Sequence, residues 1–132
     1  MGRIVAREKL FQLVFEKCFH DESEFLYDEI LEDGSIDDEN KEWLSTLYGG
    51  IIEYKNDIVT GLQKYVEGYK IEDLFKVDFA ILVMAYYELV YYKETPAQIV
   101  ANESVELAKK FSTDKSARFV NGVVAKIIKD IE

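Results

Sequence analysis

Apolar positions recur every three to four residues through most of the chain, a spacing that predicts helices joined by short turns. From Arg3 to about Phe19, Leu10, Phe11, Val14, Phe15 and Cys18 share one face, and Glu8, Gln12 and Glu16 lie on the other. Asp21 with Glu24 three residues on has the spacing of a capping box. It opens a short acidic helix carrying Phe25, Leu26, Ile30 and Leu31, which Gly34 stops. Ser35 or Asp37 then caps a longer helix through Trp43, Leu44, Leu47, Tyr48, Ile51, Ile52 and Tyr54. Gly49 and Gly50 inside it predict a close helix crossing or a slight kink. Asn56 restarts the helical pattern, which carries Ile58, Val59, Leu62, Tyr65 and Val66 toward Gly68. After a connector containing Ile71, Leu74 and Phe75, Asp78 caps the run FAILVMAYYELVYY. That helix is apolar on every side and belongs in the middle of a bundle.

The clearest helix signals lie between Pro96 and Ile128. Thr95 followed by Pro96 reads as a cap and a first-turn proline. The helix they open turns Val100, Ala101, Ser104, Leu107, Ala108 and Phe111 inward, with Asn102, Glu103, Glu106, Lys109 and Lys110 outward. Thr113 or Asp114 caps the last helix, whose core stripe is Val120, Val123, Val124, Ile127, Ile128 and Ile131. At about 100° per residue, Lys115, Arg118, Gly122, Lys126 and Lys129 fall within a sector roughly 80° wide, with Phe119 on its margin. Cations reach phosphates, a missing side chain admits a backbone, and an aromatic ring can stack on an unpaired base. A solvated lysine face, with Gly122 admitting a neighbouring helix, accounts for the same pattern. In total the pattern gives about six or seven helices and no strand alternation, hence an all-α, single-domain bundle over residues 1–132.

Charge changes this picture in one respect. The net charge of -10 argues against nucleic-acid binding by bulk electrostatics, but the charge is unevenly placed. Residues 21–46 carry eleven acidic and one basic side chain, whereas residues 109–129 carry six basic and one acidic. Arg3 and Arg7 also share a face one turn apart at the start of the first helix, where cations oppose the helix dipole unless an anion is held there.

Candidate chemistry is sparse. With one histidine, His20, and one cysteine, Cys18, there is neither a nucleophile and base pair nor a set of metal ligands. No catalytic residue, metal or cofactor is therefore expected. The lone cysteine and the shortness of the longest uncharged apolar run, Phe79 to Tyr87, point to a cytoplasmic protein without a membrane span.

The run VANESVELAKKFSTDKSARFVNGVVAKI resembles the C-terminal signature of the NusB family of bacterial transcription antitermination factors. Ala6-Arg7-Glu8, Gln12, Val77-Asp78, Ala80-Ile81-Leu82 and Tyr87-Glu88-Leu89 match further family landmarks in order, with weak matching between about residues 20 and 70. The resemblance implies an all-α fold and binding of single-stranded, boxA-type RNA of nascent ribosomal RNA leaders. Binding occurs together with the ribosomal protein NusE, within an antitermination complex on RNA polymerase. It further implies that Arg3, Arg7, Lys115, Arg118, Phe119 and Asn121 contact RNA and that Asp78 and Glu88 belong to the partner surface. A local role competes for the last two, Asp78 as a helix cap and Glu88 in a local pair. The sequence also departs from the family pattern. Only Arg3 precedes Ile4-Val5 where a cluster of arginines is common, Val83 replaces a frequent arginine, and Phe15 a frequent tyrosine. Fewer cations imply weaker RNA affinity without the partner. Three other readings stay open: the homologous module that begins certain ribosomal RNA cytosine methyltransferases, against which residues 1–132 leave no room for a cofactor domain; a protein-only interaction module or homodimer; and, more remotely, a small-molecule enzyme.

Overall fold

The computed structural model describes residues 2–19 and 23–132, so His20 and the expected cap at Asp21 lie outside the described residues. Seven α-helices carry the described chain: α1 (Gly2–Phe19), α2 (Ser23–Glu32), α3 (Asp38–Glu53), α4 (Lys55–Gln63), α5 (Lys76–Tyr86), α6 (Ala97–Phe111) and α7 (Asp114–Ile131). There is no strand among the described residues. The chain divides into two compact units, Met1–Glu53 and Tyr54–Glu132.

In the first unit α1 packs on α2 and α3. Leu10 and Leu13 of α1 and Leu44 and Leu47 of α3 are wholly buried, each contributing roughly 1.5–3 kcal/mol of transfer free energy. Asp37 caps α3, since its Oδ1 accepts from the Asn40 backbone N–H at 2.9 Å. The helix then runs unbroken through Gly49 and Gly50. Beyond its own helix, a Cβ at Gly49 would meet nothing within 4 Å among the described residues, so no close crossing is seen at that position.

In the second unit α5 is buried from Asp78 onward, as its unbroken apolar run requires, and packs on α4, α6 and α7. It passes into a π-helical segment, Tyr87–Tyr92, closed by the Lys93 N–H bonding the Glu88 carbonyl at 2.9 Å. Lys93 itself is left-handed, with φ 62°. Three cap assignments change. Phe75, not Asp78, occupies the cap position of α5, and Asp78 lies inside its first turn. Tyr54 precedes α4, which already includes Asn56. Pro96 precedes α6, and the Thr95 hydroxyl instead donates to Glu88 Oε2 at 2.9 Å. For Asp78 and Thr95 a buried or tertiary partner outweighs the local preference of the side chain.

Candidate nucleic-acid interface

Helix α7 sets the geometry of the second unit's surface. Thr113 Oγ1 accepts from the Ser116 backbone N–H at 3.0 Å and fixes where the helix begins. From that start Val120, Val123, Val124 and Ile127 fall inward and are buried, whereas Ile131, expected in the same stripe, is exposed. Lys115, Arg118, Gly122, Lys126 and Lys129 are all exposed on the outer side, as is Asn121. Lys126 lies 3.9 Å from Glu67, an exposed pair that costs little to break. Beyond its own helix, no atom of the described residues stands within 4 Å of where a Gly122 Cβ would lie. Close approach of a neighbouring helix is therefore not its role, and its backbone lies bare in the middle of the cationic face.

Two concavities flank this face. A groove of about 550 Å³ is lined by Asn102, Glu106 and Lys109 from α6 and by Arg118 and Asn121 from α7. A smaller cleft of about 210 Å³ is lined by Tyr69, Phe75, Lys115 and Phe119, with Asp78 and Ser116 also in its wall. Phe119 is half-buried, and the Tyr69 ring meets it edge to face, with centroids 5.5 Å apart and planes at 68°. Tyr69 is 56% exposed and Phe75 69%. Lys115 and Phe119 thus share one depression, and Arg118 and Asn121 the adjacent one. Tyr69 and Phe75 escape sequence reading because they sit in a connector without periodicity; two aromatics where turn residues would be usual are the only signal.

The two acidic candidates lie inside. Asp78 is 4% exposed and Glu88 1%. Both are buried, Asp78 in the wall of the smaller cleft, so an effect on a partner would pass mainly through the elements they hold: Glu88 ties Thr95 to the π-helical segment. Burial pushes the Asp78 carboxyl above its ordinary value of 3.8, and a hydrogen bond from Ser116 opposes the shift. A raised folded pKa means that the folded state keeps a proton the unfolded chain releases. This contribution to stability is fully present below about pH 3.8 and is lost as pH rises through the raised value. Asp78→Asn, which cannot ionise, should therefore gain stability relative to wild type as pH rises across that window and level off above it. Urea unfolding at a series of pH values measures this, and a difference flat with pH would contradict it.

The remaining two candidates belong to the first unit. Arg3 is exposed, and its Nε donates to Asn40 Oδ1 at 2.9 Å. Arg7, one turn on, is only 4% exposed. Both guanidiniums lie over the ring of Trp43, with Cζ 4.5 Å and 5.0 Å from its centroid. Sequence reading puts Trp43 in the core, which is correct, but a contact spanning 36 to 40 residues leaves no local signal.

A family model described as the NusB family matches residues 3–129. The chain is 34% identical over 132 residues to transcription antitermination protein NusB of Bacillus subtilis (strain 168), covering 100% of this chain and 98% of that one. It is 38% identical over 133 residues to the protein of the same name from Lachnoclostridium phytofermentans, covering 97% and 99%. Its fold matches a solved structure of T. maritima NusB with a TM-score of 0.89 at 31% identity, over 98% of this chain and 92% of that one. A crystal structure of antitermination factors NusB and NusE in complex with dsRNA matches with a TM-score of 0.86 at 25% identity, over 97% and 96%.

Proposed function

The chain belongs to the NusB family, and on that premise we propose that it is a transcription antitermination factor acting by recognition and scaffolding rather than catalysis. It binds boxA-type RNA of nascent ribosomal RNA leaders together with NusE, and the assembly keeps RNA polymerase elongating. The observation that carries this reading is the outer side of α7, where four cations surround a bare glycine backbone next to an aromatic cleft. Lys115 and Arg118 would neutralise phosphates, Phe119 would stack on a base, and Asn121 would bond a base edge. Arg3 would add a phosphate contact, with the buried Arg7 behind it. Asp78 and Glu88 would shape the partner surface from within.

One family match spans residues 3–129, which supports reading the chain as one domain. No helix among the described residues is long and apolar enough to cross a membrane. A cytoplasmic location fits that fact and the proposed role in transcription. A protein-only module is the second reading, and the exposed Phe75 is the feature it would use.

A protein with net charge -10 gains phosphate affinity from a basic partner, so heterodimerisation should precede tight RNA binding. The decisive titration uses boxA-like RNA, scrambled single-stranded RNA and duplex RNA, each with and without NusE. Tightest binding of the boxA-like strand by the NusE complex is expected. Equal affinities for all three RNAs, or no gain from NusE, would sink the proposal; NusE binding without any RNA affinity would favour the protein-only module.

A further inference from the structure

We propose that Trp43 and Asn40 are positioning residues for RNA: they hold the Arg3 guanidinium, beside that of Arg7, as a preformed fork for one backbone phosphate. The inference rests on the RNA-binding reading above and adds residues that the family signature does not supply. Its foundation is a chain of side-chain contacts inside the first unit. Asp37 Oδ1 accepts from the Asn40 side-chain Nδ2 at 2.9 Å as well as from its backbone N–H. Because the amide nitrogen must face that carboxylate, the amide oxygen is turned the other way. There it accepts from Arg3 Nε at 2.9 Å.

Arg3 is then fixed on two sides. Its Nε is engaged by Asn40 and its planar face by the Trp43 ring, which leaves the paired Nη edge as the part of the guanidinium open to a ligand. That edge is the one that matches two oxygens of a phosphate. Both groups holding Arg3 are uncharged, so its positive charge is not cancelled by either. The Arg7 guanidinium over the same ring places a second cation beside it, and Arg3 lies in the first turn of α1, where the helix dipole adds positive potential. An anion at the open edge of Arg3 would offset its charge and the dipole together.

Two further observations fit. Trp43 Nε1 is buried without a hydrogen-bond partner among the described residues, so the indole retains a donor. A Cβ at Gly2 would collide with Asn40 Nδ2, so the start of α1 reaches Asn40 only because residue 2 has no side chain. Holding a long cationic side chain in place before binding reduces the entropy lost on binding. This suits a chain with only one arginine ahead of Ile4.

The test uses the full chain with NusE and boxA-like RNA. Trp43 is the only tryptophan of the chain. With NusE alone as the blank, its emission should change on RNA addition with the midpoint of an independent binding assay, and the change should vanish in Arg3→Ala. Arg3→Ala and Asn40→Ala should each weaken binding roughly tenfold, and the double variant should be no weaker than either one. Trp43→Phe, which keeps an aromatic face, should bind nearly as wild type, while Trp43→Leu should fall to the level of Arg3→Ala. Silent emission with intact RNA binding, or additive losses in the double variant, would overturn the inference and leave the RNA-binding reading standing. Absence of RNA binding in the wild-type complex would overturn both. Thermal unfolding separates these results from a general loss of structure, and Asn40→Ala, which retains the Asp37 backbone cap, remains informative where Trp43→Leu does not fold.

Discussion

Gly61→Ala should lower the stability of the fold by about 1–3 kcal/mol, against the trend for alanine in a helix. At an exposed helical position the same change would add about 1 kcal/mol, because alanine loses less backbone freedom than glycine. Gly61 lies inside α4 and is buried, and the Tyr86 hydroxyl and Cζ of α5 occupy the space a Cβ would need. Tyr86 is itself buried, with its ring against Tyr91, so it has little room to withdraw. Tyr86→Leu removes both obstructing atoms. Although costly alone, it should make Gly61→Ala less damaging than in wild type, giving a coupling of roughly 0.5–3 kcal/mol in a double-mutant cycle. Strict additivity would show that the two residues do not compete for space. The same unfolding curves bear on domain organisation, since Gly61 lies in the second unit and Trp43 in the first. On the single-domain reading, Trp43 emission and helical circular dichroism give one midpoint, and the substitution moves both.

Gly61 also illustrates what the sequence conceals. Its helix is legible from Ile58, Val59 and Leu62, yet nothing local tells that the residue above it is a tyrosine from twenty-five positions away. The bundle is readable because the 3.6-residue period persists through α1, α3, α6 and α7, and burial follows that period closely. Caps are less readable. Asp37 and Thr113 behave as their local preference predicts, because their neighbourhoods are solvated and the nearest free N–H groups are their own helix's. Asp78 and Thr95 do not, because burial and Ser116 claim the first and Glu88 the second. The π-helical turn at Tyr87–Tyr92 has no sequence mark at all, since its tyrosines fit an α-helix equally well.

The candidate site divides in the same way. The cationic stripe of α7 is legible because it lies on one helix, where angular position follows from residue number. Its aromatic surroundings are not: Tyr69 and Phe75 reach Phe119 and Lys115 only through the fold. The Asp37, Asn40, Arg3 and Trp43 network likewise joins α1 to α3 across more than thirty residues. Sequence thus places the cations, and tertiary structure decides what orients them.

That division leads to the largest effect expected on binding. Phe119→Ala should weaken RNA binding by roughly 1–3 kcal/mol while leaving the salt dependence nearly intact, because a stacking surface is lost and no charge. The half-buried position of Phe119, edge-on to an exposed Tyr69, makes the ring part of a surface cleft. Its removal should therefore cost less stability than the about 3–5 kcal/mol expected for a core phenylalanine. Arg118→Ala should behave in the opposite sense. It should reduce the slope of log affinity against log salt by about 0.7, the value for one single-strand phosphate contact, with little change in preference among RNA sequences. Arg118 is exposed on α7 at the edge of the groove that also holds Asn121, so its loss leaves the fold untouched. The pair of variants separates a phosphate-binding face from a merely solvated one, since only the former yields two different signatures from residues adjacent in sequence. A destabilised Phe119→Ala together with an unchanged Arg118→Ala slope would assign the ring to the core and the cations to ordinary surface, and would remove α7 from the RNA interface.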